Sequence, residues 1–197
     1  KLTSVKQERE QVRALMELRG CDAGEAKQLM QSYERDHLST KAFYRELQNL
    51  LGDRILVDKT PTYPFDPEIL KRAEQNFEDP LYIHLVRHPY AMIYSFIEAK
   101  LDKNFFRHEH SFNRHELAEL IWIVSNQNIL EFLDRVPKTR QYRMTFENLL
   151  SAPQIELQNL CTFLDIDFQP NMLKPYQGRK MTDGIGDYSQ MVGDFKF

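Results

Sequence analysis

Apolar positions recur at helical spacing through the first quarter of the chain. Val5, Val12, Leu15, Met16 and Leu18 approximate a 3.6-residue period that Gly20 breaks. Asp22 is placed to cap a second helix through about Glu34, with Ala26, Leu29 and Met30 inward. A third helix, from Ser39 to about Leu51, carries Phe43, Tyr44, Leu47, Leu50 and Leu51, and Gly52 stops it. Nothing in these helices carries obvious chemistry; helical packing or a partner-docking surface accounts for them.

The pattern then shortens. Arg54-Ile55-Leu56-Val57-Asp58, ending in Lys59-Thr60-Pro61, reads as a buried strand and turn. Asp66 to about Phe77 reads as a helix with Ile69, Leu70, Ala73 and Phe77 on one side. Leu81–Val86 is a second strand, closed by Arg87-His88-Pro89, and Pro89 opens a helix to about Leu101. Strand, helix, strand, helix at this spacing predicts a βαβ unit with parallel pairing. Asn113 is placed to cap a long helix, Arg114 to Leu133, with Leu117, Leu120, Ile121, Val124, Asn128 and Phe132 inward. Gln141–Thr145 offers a third strand and Phe146–Leu150 a helical turn. Ala152-Pro153 begins an amphipathic helix with Ile155, Leu157, Leu160, Phe163 and Leu164. The tail from Gln169, with Pro170, Pro175 and three glycines, reads as loop. There are no repeats and no low-complexity stretch.

Composition narrows the function classes. The 197 residues are 42% hydrophobic and 28% charged, with 13 Phe and 9 Tyr to build a core. The longest apolar runs, such as Ile121–Val124, are far too short for a membrane helix. A net charge of −3 gives no reason to expect non-specific binding to nucleic acid or anionic membrane. Any anion site is therefore a local cluster. Cys21 and Cys161 are too few for a zinc site, and two reduced thiols fit a cytoplasmic protein. Lys1–Glu10 is charged and unlike a signal peptide, and the chain opens mid-pattern at Lys, so it is expected to be a piece of something longer.

Arg87 sits at the carboxyl tip of a predicted parallel strand, the edge at which open α/β sheets bind ligands. The helix beginning at Pro89 adds free N–H groups and positive potential there. Arg suits bidentate phosphate recognition. Ser95 lies about 9 Å along that helix from Pro89, so a phosphate touching both lies beside the helix and not on its end. Lys59-Thr60, at the end of the other predicted strand, suits the leaving end of a phosphate-like group: the lysine neutralises charge and the hydroxyl donates. The plainer alternatives are a structural carboxylate partner for Arg87 and solvent for Lys59.

Leu56-Val57-Asp58-Lys59-Thr60-Pro61-Thr62-Tyr63, then Tyr82-Ile83-His84-Leu85-Val86-Arg87-His88-Pro89-Tyr90 and Ser95, resemble sulfotransferases that use 3′-phosphoadenylyl sulfate. More closely they resemble the sulfotransferase domains inside cyanobacterial polyketide and olefin synthases. Ser125–Leu130, Phe146-Glu147-Asn148-Leu149 and Met181-Thr182-Asp183-Gly184 continue the likeness, which runs from about Arg54 to the end. The resemblance implies one sulfotransferase domain over 1–197. It is an α/β, P-loop NTPase-like fold with a short parallel sheet flanked by many helices. Residues 1–53 would be its helical, substrate- or carrier-facing region, and 54–197 its cofactor-binding core. Arg87 and Ser95 match the pair that holds the cofactor's 3′-phosphate. Lys59 matches the lysine near the bridging oxygen, and Arg179 and Lys180 the late basic segment over the 3′-phosphate.

Two departures stand out. Pro61 occupies the place of the cytosolic enzymes' catalytic histidine, so the base comes from elsewhere. No Gly/Ser/Thr-rich phosphosulfate loop stands in residues 1–53, where Gly20, Gly24 and Gly52 are isolated. The N-terminal strand-loop is expected to be missing by truncation, with weak cofactor binding. For the base, His110 is favoured, in the polar loop Asp102–Phe112, with His108 and Glu98 behind it. His88 reads as a cofactor neighbour, and His84, inside a strand, as a packed core residue. The expected reaction moves a sulfonate from 3′-phosphoadenylyl sulfate to the β-hydroxyl of an acyl chain on an acyl carrier protein. A downstream thioesterase then releases a terminal alkene. No metal is expected. The alternatives are a sulfotransferase for a sugar, peptide or small alcohol, and a non-catalytic docking module of a synthase.

Overall fold

The computed structural model describes residues 5–102 and 110–174, with side chains from residue 11 onward. They fall into two compact units, one ending at Lys59 and one starting at Thr60.

The first unit is helical. Helices α1 (Val5–Arg19), α2 (Ala23–Arg35) and α3 (Thr40–Leu51) bury Val12, Leu15, Ala26, Met30, Phe43 and Leu47 together. Each boundary has a local cause. Gly20 and Gly52 take positive φ, which a residue without Cβ adopts at little cost. Asp22 closes a capping box with Glu25, and the Ser39 hydroxyl accepts from Ala42 N–H. The Glu46 carboxylate accepts from Tyr33 and pairs with Arg19, tying the three helices together.

The expected strand Arg54–Asp58 is not one. The segment begins at a bend, continues as irregular backbone and has no ladder partner among the described residues. Leu56 packs against the helical core, and Asp58 accepts from the Tyr44 hydroxyl at 2.7 Å. Ile55 and Val57 are left 43% and 72% exposed. A run of branched apolar residues favours extended backbone, but a strand also needs a neighbour to take its N–H and C=O groups.

The second unit holds the sheet. A 3-10 turn (Tyr63–Phe65) leads into α4 (Pro67–Asn76), then β1 (Tyr82–Val86), α5 (Pro89–Glu98) and α6 (Arg114–Leu133). Strand β2 (Gln141–Thr145), α7 (Phe146–Ser151), α8 (Pro153–Leu164) and a second 3-10 turn (Pro170–Leu173) follow. The strands pair in parallel, Tyr82 opposite Gln141 through Val86 opposite Thr145. The crossover between them runs through α5 and α6. The parallel partner of β1 is thus the expected third strand, not the expected first.

Helix α6 covers one face of the sheet. The Tyr82 ring meets Phe132 edge to face at 5.0 Å, and Gln141 donates to the Leu133 carbonyl at 2.6 Å. On α8, Phe163 lies 5.3 Å from the Tyr142 ring. At the amino end of β1, Arg140 grips Glu74 through two N–H groups at 2.9 and 2.8 Å, and the Tyr82 hydroxyl donates to the same carboxylate. The hydrogen bonds from Arg140, with that of Tyr82 and the arginine's charge behind them, lower the Glu74 carboxyl from its usual value. The Asn128 amide donates to the Pro64 carbonyl at 2.7 Å, fixing the first 3-10 turn to α6.

The expected stripes are mostly inward, with exceptions. On α6, Leu117 and Phe132 are buried but Leu120 is 40% exposed; on α8, Ile155 is exposed and Cys161 takes the buried position. Helix α5 stops at Glu98, short of Leu101, as Lys100 turns to φ 52°. Both cysteines are free thiols. No helix among the described residues is long and apolar enough to cross a membrane.

Candidate active site

The carboxyl tips of β1 and β2 lie side by side, because the parallel register ends at Val86 opposite Thr145. The residues that leave one strand therefore meet those that leave the other: Arg87 and His88 from β1, Phe146 and Glu147 from β2.

The Arg87 guanidinium lies over the Phe146 ring, its Cζ 4.9 Å from the centroid, a cation–π contact that restrains it. Its Nε–H is shielded from solvent and has no acceptor among the described residues. A buried donor without a partner is costly, and an anion oxygen arriving here would remove that cost. The main chain is held as firmly. The Arg87 carbonyl accepts from the Trp122 indole N–H at 2.9 Å.

The next residue opens α5. His88 is its N-cap, with Nδ1 accepting from Tyr90 N–H at 3.3 Å, and Pro89 takes the first helical position. The His88 N–H donates to Glu147 Oε1 at 2.9 Å. That bond leads the causes that lower the Glu147 carboxyl from its usual value, helped by a backbone N–H of its own and by the charge of Arg87. Ser95, half-buried, lies on α5 two turns beyond His88. The strand tip thus offers a stacked arginine, a helix start and a hydroxyl along the helix side. That is the equipment to hold a phosphate flank-on. An anion arriving at Arg87 would meet the shielded Nε–H, and the Glu147 carboxylate already occupies the His88 N–H beside it.

The remaining sequence-derived candidates stand elsewhere. Lys59, exposed, ends the first unit, and Thr60, half-buried, begins the second, its carbonyl accepting from Tyr63 N–H at 3.2 Å. His110 is exposed, its ring 6.4 Å from that of Phe112. Glu98 is exposed at the end of α5. His108, Arg179 and Lys180 lie outside the described residues. His84 is 5% exposed, with Nε2 3.0 Å from Asn126 Oδ1, the packed core histidine expected of a strand interior. Burial pushes its pKa down, and the charge of Arg143 on the facing strand acts the same way. No group of three or more metal-ligating side chains occurs among the described residues.

Sequence reasoning did not give roles to Phe146, Glu147, Trp122 or Asn126. Phe146, Glu147 and Asn126 stand in segments that carry the family likeness, but the place of the first two beside Arg87 depends on a strand register that joins residues about sixty positions apart. Trp122 carried one signal, as the chain's single tryptophan.

A parallel sheet tip with a helix start and a stacked arginine defines an anion-binding α/β protein. A sequence profile of the sulfotransferase family matches residues 2–170, and the chain belongs to that family. Among solved structures, it is similar to the sulfotransferase domain from the curacin biosynthetic pathway. Identity is 40%, covering 89% of this chain and 61% of that one, with a TM-score of 0.83. It is also similar to the sulfotransferase domain from the Synechococcus PCC 7002 olefin synthase. There identity is 35%, covering 93% of this chain and 60% of the other, with a TM-score of 0.80. The chain thus spans about three-fifths of the length of these solved relatives. No curated protein sequence matches it.

Proposed function

We propose that this chain forms one sulfotransferase domain acting on a β-hydroxyacyl group carried by an acyl carrier protein in the cytoplasm, with a thioesterase downstream. The single observation that carries the donor side is Arg87: a guanidinium stacked on Phe146 at a parallel strand tip, with a shielded N–H lacking an acceptor. The acceptor side is supported by the likeness to sulfotransferase domains of the curacin pathway and an olefin synthase. One domain is supported by a family match that runs continuously through both units.

When bound, 3′-phosphoadenylyl sulfate supplies an activated sulfonate. The chain's residues bind and orient. Arg87 pairs with the 3′-phosphate through its fork, and Ser95 donates from the side of α5. Arg179 and Lys180, on the resemblance alone, would contribute positive charge toward the same group. Lys59 would neutralise charge on the leaving oxygen of the donor, and the Thr60 hydroxyl would donate a hydrogen bond to it. His110 takes the acceptor hydroxyl's proton as the new S–O bond forms. Sulfonation turns a poor leaving group into a good one, which is the chemical reason to place it ahead of an eliminating, alkene-forming step.

The test is calorimetric. Adenosine 3′,5′-diphosphate should bind more tightly than 5′-AMP, and Arg87→Ala should cost about tenfold to a hundredfold of that affinity while leaving 5′-AMP unchanged. Equal binding of the two nucleotides would overturn the donor assignment and favour a docking module. With the donor established, sulfonate uptake is compared between a β-hydroxyacyl carrier protein and free sugar, peptide and alcohol acceptors. Uptake by a free acceptor alone would overturn the carrier-bound substrate.

A further inference from the structure

The proposed 3′-phosphate site rests on Arg87, yet the side chains that hold the Arg87 main chain lie on another element. Four groups form one line. His84 is buried at the centre of β1, and its Nε2 meets Asn126 Oδ1 at 3.0 Å. The Asn126 amide nitrogen donates to the Trp122 carbonyl at 2.8 Å. Reversing that amide would set oxygen against oxygen, so Oδ1 is the atom facing the histidine, and His84 Nε2 carries the hydrogen. The Trp122 indole N–H then donates to the Arg87 carbonyl at 2.9 Å.

Each bond fixes the next group. His84 orients the Asn126 amide, and that amide donates to the main chain of the α6 turn that carries Trp122. A strand tip ordinarily frays into its loop. Here the carbonyl of Arg87, the first residue past the strand, is pinned to a 20-residue helix. The guanidinium has its own restraint in Phe146. The two restraints act on different parts of one residue: Phe146 restrains the fork, and Trp122 the backbone from which it extends.

We infer that Trp122 and Asn126 are positioning residues for the anion site, acting through the Arg87 carbonyl and touching no part of the nucleotide. This inference rests on the assignment of Arg87 to the 3′-phosphate. A phosphate gains from a fork only where it is already aimed, so loosening the carbonyl spends part of the binding energy on ordering Arg87.

Trp122→Phe keeps an aromatic side chain on α6 and removes the N–H together with part of the indole. Asn126→Asp keeps the acceptor for His84 and removes the donor to Trp122. Each should weaken adenosine 3′,5′-diphosphate about fivefold, the size of one neutral hydrogen bond, and leave 5′-AMP within about twofold. A merely structural role would weaken both nucleotides alike. The unaltered protein supplies an independent reading, because Trp122 is the chain's single tryptophan. Its emission should shift on titration with adenosine 3′,5′-diphosphate and not with 5′-AMP.

Variants that retain full 3′-phosphate preference would overturn the inference, as would an emission unmoved by nucleotide that calorimetry shows to be bound. In either case the Arg87 assignment survives. If the unaltered protein does not distinguish the two nucleotides, the Arg87 assignment fails, and the positioning role falls with it.

Discussion

His84 shows how one buried side chain makes the fold sensitive to pH. Its neutral form donates from Nε2 to Asn126 and leaves Nδ1 a bare lone pair in the interior. Protonation would put a second N–H there with no acceptor, beside the charge of Arg143 across the strand pair. Burial therefore holds the folded-state pKa below the ordinary 6.5. Proton counting gives the sign. Between the lowered native value and 6.5 the unfolded chain binds more protons than the native one, so unfolding becomes easier as pH falls through that window. The urea midpoint should therefore drop from neutral pH into that window, and His84→Gln, which cannot titrate, should show a shallower drop. Equal slopes for the two proteins would show that His84 does not gain its proton on unfolding. Glu74, whose carboxyl is lowered by Arg140, behaves in the usual acidic sense, with stability present above the unfolded carboxylate value and lost as pH falls through the native one.

Among the elements, the helix starts rest on single residues that can be read and tested. Asn113 accepts from the N–H groups of His115 and Glu116 at 2.9 and 3.0 Å, and Glu116 returns the bond to the Asn113 N–H at 2.8 Å. Asn113→Ala should lower stability by about 1 kcal/mol, and Asn113→Asp should hold it near the original value, since both carry the capping oxygen. Chemical denaturation measures both, and an unchanged midpoint for the alanine variant would show that α6 starts on packing alone. Such caps were legible because they are local: Asp22, Ser39 and Asn113 each bond to residues two or three positions on. Strands were legible only as extended runs. Arg54–Asp58 and Gln141–Thr145 carry similar patterns, yet among the described residues only the second finds a partner, and partnership depends on residues about sixty positions away. The site divides the same way. Arg87 at a strand tip and Ser95 on the next helix can be read from local order, whereas Phe146 and Glu147 arrive through the register and Trp122 through packing of α6.

The whole chain raises a question of cooperativity. Two compact units meet in sequence at Lys59-Thr60, the pair proposed to serve one reaction, while the family match runs from residue 2 to 170 across both. The first unit has a core of its own around Leu15, which is fully buried. The second holds the sheet, the arginine and the only tryptophan. If the units are one domain in the thermodynamic sense, damage to either lowers the melting of both. Leu15→Ala tests this without touching the second unit. Truncating a fully buried leucine costs about 2–5 kcal/mol, which for a chain of this size lowers the melting point by roughly 5–15 °C. Trp122 emission reports only its own surroundings in the second unit, so it reads the transfer directly. A single transition, displaced to lower temperature by Leu15→Ala, is the expected result. An emission melt that stays in place while far-ultraviolet circular dichroism shifts would show two independent folding units.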